Sequence, residues 1–339
     1  MRRRQRYRHR DVPVWRACCT AQGKGRAAPG RGLTSPASDR RRERALGALL
    51  GLAVGDALGA PREGSPRDVE PPLIGMVGGG PFALPPGAWT DDTALALCLA
   101  DSLLADPALD PLDLLSRFLG WWERGENSAT GVGIGIGRTT WAALEGFRTE
   151  GRLLAEAGRA PASNGGIMRL APVAIRFHGA PDEAARIARA QSQTTHAAAV
   201  AVEAAELLAR ILVAAIAGAG KAALAAPGAD VREPAIAALA SGAWRGKRRG
   251  EISADGSAAG TLEAALWCVG RAGDFSEAVL LAANLGGDAD TAAAIAGQIA
   301  GAIWGAAAIP QIWVENLAKV AHISDRALRL YEAGAFMGE

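Results

Sequence analysis

The sequence predicts an all-α fold, a compact single domain built as a bundle of many helices. Three observations carry that expectation. No segment sustains the period-two alternation of a β-strand. Aromatic residues are only 5% of the chain while alanine and its 43 glycines are abundant, a composition that lets helix backbones approach closely and does not suit a β-sandwich. Hydrophobic residues make up 49% of the 339, enough to bury a sizeable core.

Residues 1–39 are rich in Arg, Gly, Pro and Ser and lack an apolar period. They predict a disordered basic extension, with the folded domain at 40–339. No apolar run of the kind an export signal uses follows the arginines, so the segment reads as an upstream extension. RRRERALGALLGLAVGDALGA has apolar residues on most sides and predicts a buried helix. Residues 64–88, dense in Gly and Pro, predict loop. TDDTALALCLADSLLA follows as a helix with its polar residues gathered at the start, and PLDLLSRFLGWWERG as an amphipathic helix opened by proline. SATGVGIGIGRTTWAALEGF runs from a glycine-rich loop into a helix, and SNGGIMRLAPVAIRFHG from a loop into a short helix. Residues 181–218 predict two helices split around SQTTH, and 227–257 predict one more. Three helices are expected near 260–271, 276–284 and 290–305, and two short ones between Pro310 and Ala335. The apolar run Ala292–Ile309 approaches the length of a membrane span. Its Ala/Gly composition, Gln298 and the aspartates at its start instead predict a buried central helix, with no membrane partner.

The net charge of +2 conceals an asymmetry. Residues 1–44 carry 14 Arg and Lys against 3 acids, and the remainder carries 23 against 32. An acidic body argues against a nucleic-acid-binding surface, which must be positive. Cys18, Cys19, Cys98 and Cys268 show no metal-ligand spacing and predict reduced thiols in a cytoplasmic protein.

Two acidic motifs stand out. Thr90-Asp91-Asp92-Thr93 places adjacent carboxylates between hydroxyls at a helix start, and Asp288-Ala289-Asp290-Thr291 repeats the chemistry after the paired Gly286 and Gly287. Oxygen-only donors suit a hard cation such as Mg²⁺ or Mn²⁺, and paired glycines let backbone approach a ligand. Each motif also reads as an N-cap. The sequence does not say that the two helix starts meet; if they do, four buried aspartates need cations between them, and two divalent ions would match the ligand count. In Gly55-Asp56-Ala57-Leu58-Gly59-Ala60-Pro61-Arg62-Glu63 a helix ends at a glycine and a carboxylate follows on the loop, which taken alone reads as a C-cap with solvated charges. Ser163-Asn164-Gly165 is a loop of the kind that offers N–H groups to phosphate. His196, at a helix start, reads as either a ligand contact or a structural histidine.

In this order, GALLGLAVGDALGAPREG, GAWTDDTALAL, SNGGIMRLAPVAI, TTHAAAVAVEAAELLA and LEAALWCVGRAGDFSEAVLLAANLGGDADTAAAIAGQIAGAIWG resemble the ADP-ribosylglycohydrolase family across about residues 45–310. The resemblance implies a domain with two Mg²⁺ ions, Mn²⁺ being the alternative, in a cleft. It implies Thr90, Asp91 and Asp92 as ligands from one side and Asp288, Asp290 and Thr291 from the other. It implies Glu63 near the scissile bond, Ser163, Asn164 and Gly165 at the diphosphate, and His196 on the ADP-ribose. Catalysis falls to Glu63, Asp91 and Asp290, with Glu63 as acid/base or as a gate. Where many arginine-directed members have an acidic FDIGNTT-like motif, this chain reads GIGIGRTT, with Gly135 for the aspartate and Arg138 for the asparagine, which points away from arginine.

The implied reaction is hydrolysis of the glycosidic bond between ADP-ribose and a modified protein side chain or other conjugate, by a monomeric enzyme. The metals would hold the ribose hydroxyls and a water. The alternative is a non-catalytic, crystallin-like or ADP-ribose-binding member of the same fold. Loss of metal ligands would mark such a member, and this chain keeps all six.

Overall fold

Helix α1 (Pro36–Gly59) and helix α12 (Ala289–Trp304) lie antiparallel against each other, and glycine sets how close they come. A Cβ on Gly47 would run into the Gly301 carbonyl, one on Gly51 into Gly297, one on Gly55 into Ala293 and one on Gly59 into Ala289. The reverse holds for Gly297 against Gly51 and Gly301 against Gly47. The glycines of α1 recur every four residues, which places them on one face. Each costs about 1 kcal/mol of helix propensity relative to alanine, a loss offset by dispersion contact along two backbones in direct apposition.

The computed structural model describes residues 36–157, 161–226 and 228–335; the basic extension with Cys18 and Cys19 lies outside them. Among the described residues there are two isolated β-bridges, Gly79↔Leu84 and Ser163↔Ser257, and no strand, as an all-α fold requires. The domain opens four residues before the expected Arg40. Pro36 and Asp39 both sit in the first turn of α1, where a missing N–H and a negative charge are favourable.

Around the α1–α12 pair pack α2 (Asp91–Ala105), α3 (Pro111–Arg124), α4 (Arg138–Glu150), α5 (Gly165–Met168), α6 (Ala171–Arg176), α7 (Pro181–Gln193), α8 (Ala199–Ala214), α9 (Pro234–Ala240), α10 (Ala258–Arg271), α11 (Phe275–Ala283), α13 (Gln311–Asn316) and α14 (Val320–Ala335). The caps follow local chemistry. Asp110, Ser257 and Asp274 accept N–H groups at the starts of α3, α10 and α11, and left-handed Gly125 and Gly151 close α3 and α4. α14 is a full helix of 16 residues and not the short one expected. Its buried Ile323, Ala327, Leu330 and Tyr331 recur at helical spacing and hold it to the core.

Every residue of α12 from Ala289 to Ala302 is buried, so this run is the central helix the sequence predicts. No described helix is long and apolar enough to cross a membrane. Because α1 and α12 run antiparallel, the end of α1 meets the beginning of α12.

The seam makes a specific demand. Gly297→Val should lower stability by about 3 kcal/mol or more, because a branched side chain would have to displace backbone. Gly179→Ala, where an added Cβ meets nothing within 4 Å, should stay near wild type. Urea denaturation of both variants checks the pair; equal midpoints would contradict the seam.

Candidate active site

Asp56 lies inside α1 and not on a loop beyond it, and its side chain is fully buried. The carboxylate expected on the loop after the C-cap is Glu63, which is half-buried and not solvated; Asp56 belongs to the predicted buried helix. The Asp56 carboxylate accepts the Thr90 N–H at 2.9 Å, the Thr90 hydroxyl at 2.9 Å, the Thr93 N–H at 3.0 Å and the Thr93 hydroxyl at 2.7 Å. Burial pushes its pKa up, and the threonine donors oppose that shift.

Asp56 thus caps α2 from a different helix. Thr90 occupies the N-cap position but makes no capping hydrogen bond of its own. Its hydroxyl proton goes to Asp56, which leaves only oxygen lone pairs to offer elsewhere. Asp288, at the N-cap of α12, likewise makes no side-chain cap. The N-cap reading of the two motifs fails at both residues that would have to perform it.

The two helix starts meet. The Thr291 hydroxyl donates to Asp92 Oδ1 at 3.3 Å, and the Thr291 N–H donates to Asp290 Oδ1 at 2.8 Å. Glu63, just past the end of α1, Asp288 and Asp290 each place a carboxylate oxygen within 4.8 Å of the others. Asp92 Oδ2 and Glu63 Oε2 are buried without a hydrogen-bond partner. Burial, followed by the charge of Asp56, holds Asp91 and Asp92 well above the usual carboxylate range. Burial and then Asp92 do the same to Asp290. Burial also raises Glu63, and the Asp288 charge adds to it. The groups acting most strongly on Asp92 are carboxylates, namely Asp56, Asp91, Asp288 and Glu63.

A cluster of this kind fits hard divalent cations. The donors are all oxygen, the charge is uncompensated, and Asp92 has a buried oxygen with nothing to bind.

The cluster forms part of the lining of a cleft of about 840 Å³. Glu63, Asp91, Asp92, Asp288, Asp290, Thr291, Ser163, Asn164, Gly165 and His196, all singled out in the sequence, line it. Thr90 sits behind the lining, on Asp56. Gly286 and Gly287 do not line it. Their φ angles of 69° and 64° and close approach are real, but the backbones they approach are Ser65, Pro66 and Ala254. Gly287 exchanges hydrogen bonds with Gly64 and Ser65, which fastens the loop that carries Glu63. Asn164 is turned toward the carboxylates: its amide donates to Asp288 Oδ2 at 2.7 Å and to Thr261 at 3.1 Å. The Ser163 hydroxyl is paired with Thr139 at 2.9 Å. Arg138 and Arg152 bring positive charge to the same cleft.

Gly135 has φ 92°, and a Cβ there would stand 2.5 Å from Asp91 Oδ1. An aspartate there would be strained at this φ and would have to displace the Asp91 carboxylate.

A model of the ADP-ribosylglycohydrolase family matches residues 37–337, nearly all that the structure describes. The chain belongs to the ADP-ribosylglycohydrolase family. It is 43% identical, over 86% of its own length and 78% of the relative's, to the ADP-ribosylarginine hydrolase Tri1 of Pseudomonas putida (strain GB-1). It is 39% identical over 85% and 79% to the protein of that name from Serratia proteamaculans (strain 568). The ADP-ribosyl-[dinitrogen reductase] glycohydrolase of Rhodospirillum rubrum is 36% identical over 45% of this chain and 51% of that one. A solved structure described as an ADP-ribosylglycohydrolase-related protein complex superposes with a TM-score of 0.76 at 44% identity, covering 87% of this chain and 99% of that chain. Two relatives named for arginine match this glycohydrolase over most of its length, so Gly135 is not by itself grounds for setting arginine aside.

Two outcomes test the site. Mg²⁺ at about a hundredfold excess over its dissociation constant should stabilise the folded protein by about 2.7 kcal/mol, read as a rise in melting temperature over an EDTA control. The carboxylate pKa values are raised in the folded state. Folding without metal is therefore favoured at acid pH and loses ground as pH rises toward neutral. The Mg²⁺ increment should grow over that same interval, and an increment independent of pH would contradict the cluster. Asp56→Asn sets an NH₂ among donors and should cost about 1–3 kcal/mol while weakening the Mg²⁺ response. A variant with unchanged stability and response would remove Asp56 from the design.

Proposed function

We propose that this glycohydrolase is magnesium-dependent, with manganese as the alternative ion, and that it releases ADP-ribose from arginine side chains of a modified protein. The observation that carries the metal is the meeting of two acidic helix starts in the cleft, with buried oxygens of Asp92 and Glu63 left without a hydrogen-bond partner. The acceptor is supported by the two arginine hydrolases that match most of the chain.

Thr90, Asp91 and Asp92 from α2 and Asp288, Asp290 and Thr291 from α12 are the residues that would hold two ions. When bound, such ions polarise the ribose hydroxyls and a water and fix their geometry. The chain supplies the rest. Arg138 and Arg152 offer charge to the diphosphate, and the 163–165 loop and His196 bound the nucleotide side of the cleft. The carboxylates face the anomeric carbon with negative charge as the glycosidic bond breaks, which favours an oxocarbenium-like transition state. Glu63 is the acid/base: it is half-buried beside Asp290, and burial, with the Asp288 charge adding to it, raises its carboxyl above the usual range, which favours proton exchange with substrate. The Gly135 loop carries no carboxylate of its own to share that role.

Retention of all six donor positions supports catalysis over the crystallin-like or binding-only alternative. The reading is of a monomer in the cytoplasm, where the free, buried Cys98 and Cys268 would stay reduced.

The decisive experiment offers proteins ADP-ribosylated on arginine and on serine, and ADP-ribosylated DNA, with Mg²⁺ or EDTA. Release from arginine that needs Mg²⁺ is expected; release from another acceptor alone would correct the substrate. Asp91→Asn and Asp290→Asn keep the side-chain shape and remove a negative donor. Each should cut turnover about 10²-fold or more without unfolding the chain. A variant that cleaves at the parent's rate would take that aspartate out of the metal site.

A further inference from the structure

We infer that Arg169 is a positioning residue of the cleft: through Thr195 it fixes His196 as a neutral imidazole that carries its proton on Nε2 and offers that N–H to the bound ADP-ribosyl group. The inference deepens the reading of the cleft as an ADP-ribose site and rests on it.

Arg169 follows α5 and is fully buried, yet it does not line the cleft. Burying a guanidinium is costly unless its donors are used. Nε donates to the Gln191 side-chain oxygen at 2.9 Å, and Nη2 donates to the Gln191 carbonyl at 3.1 Å and to Thr195 Oγ1 at 2.8 Å. The Phe118 ring lies 4.7 Å from Cζ. None of these hydrogen-bond partners is a carboxylate; Nη1 is buried without a partner, and the nearby Asp91 charge favours the guanidinium that burial disfavours.

The proton count decides the histidine. A guanidinium can only donate, so Thr195 Oγ1 accepts from Arg169. The threonine retains its own proton, and His196 Nδ1 stands 2.8 Å away. If Nδ1 carried hydrogen, the buried Thr195 proton would have no described acceptor and would pay the cost of an unmade hydrogen bond. Nδ1 is therefore the acceptor, and the neutral ring carries its proton on Nε2. Burial, with the Arg169 charge behind it, pushes the His196 pKa down to about 3, so the ring stays neutral through the working range.

The ring is also fixed in place. The His196 N–H donates to the Ser192 carbonyl at 2.6 Å, and the Ser192 hydroxyl donates to the His196 carbonyl at 2.9 Å. Gly165 makes room for the Nε2 edge, since a Cβ there would stand 2.6 Å from that nitrogen. The same network holds the substrate loop: Gln191 donates to the Gly166 carbonyl at 2.6 Å, and Gln298 of α12 donates to the Met168 carbonyl at 2.7 Å. His196 is thus a hydrogen-bond donor to substrate and not a base.

The test reads the proton directly. Long-range ¹H–¹⁵N correlation on the ¹⁵N-histidine-labelled full chain, assigned with a His196→Gln variant, should show Nε2 protonated and Nδ1 bare at neutral pH. Thr195→Val and Arg169→Lys should each mix or reverse the tautomers and lower kcat/KM by about tenfold, the scale of one misplaced hydrogen bond. Both should keep the Mg²⁺-induced thermal shift, and Thr195→Ser should restore the wild-type spectrum and rate. A proton on Nδ1 in the wild-type chain overturns the inference, as does an unchanged tautomer in Thr195→Val; the wild-type spectrum decides even if a variant fails to fold. The predicted tautomer in a protein that neither binds ADP-ribose nor cleaves any ADP-ribosylated substrate would instead sink the functional reading and leave Arg169's placing of the proton standing.

Discussion

Everything at the candidate site depends on two helix backbones touching without side chains between them. The glycines of α1 and α12 set the register of that contact, and the register brings the last turn of one helix to the first turn of the other. Glu63 then follows directly from the end of α1 into the space beside Asp290. A larger residue in the seam would separate the carboxylates as well as the helices, so packing and chemistry share one constraint.

Asp56 is the second joint. It lies one turn from the end of α1 and takes the buried donors at the start of α2, so these two helices are tied to each other by a carboxylate that does not itself line the cleft. This arrangement frees the helix starts. Side chains that would ordinarily satisfy their own backbone are released to face the cleft, where the proposed cations would relieve the repulsion among them. Buried charge of this kind is a poor source of stability and a strong source of affinity for the ion that neutralises it.

Much of this was legible in the sequence. The all-α class, the central burial of α12 and the two acidic helix starts followed from apolar period, small-residue composition and the placing of Asp and Thr. Asp56 falls inside the predicted buried helix, but the sequence assigns it no partner. The signal available was a lone acid inside the apolar run GLAVGDALGA, with glycines at four-residue intervals that mark a helix continuing in tight contact. Gly286 and Gly287 were read as openings for a ligand. Close approach was the right inference, but a glycine's close neighbour can as well be another loop, and only the tertiary structure says which. Nor can sequence order show that Arg169 reaches Thr195, since the link lies in side-chain direction across two turns of chain.

The seam also fixes when the protein becomes chemically competent. α1 is the first described helix to be synthesised and α12 among the last. At about 5–20 residues per second, tens of seconds separate the two on the ribosome. Through that interval the small-residue face of α1 has no partner, and Asp91 and Asp92 stand without Asp288 and Asp290. A chain interrupted before Asp288 holds half of the six proposed donors and no seam to align them. The cluster and its seam therefore form together, once α12 has joined α1.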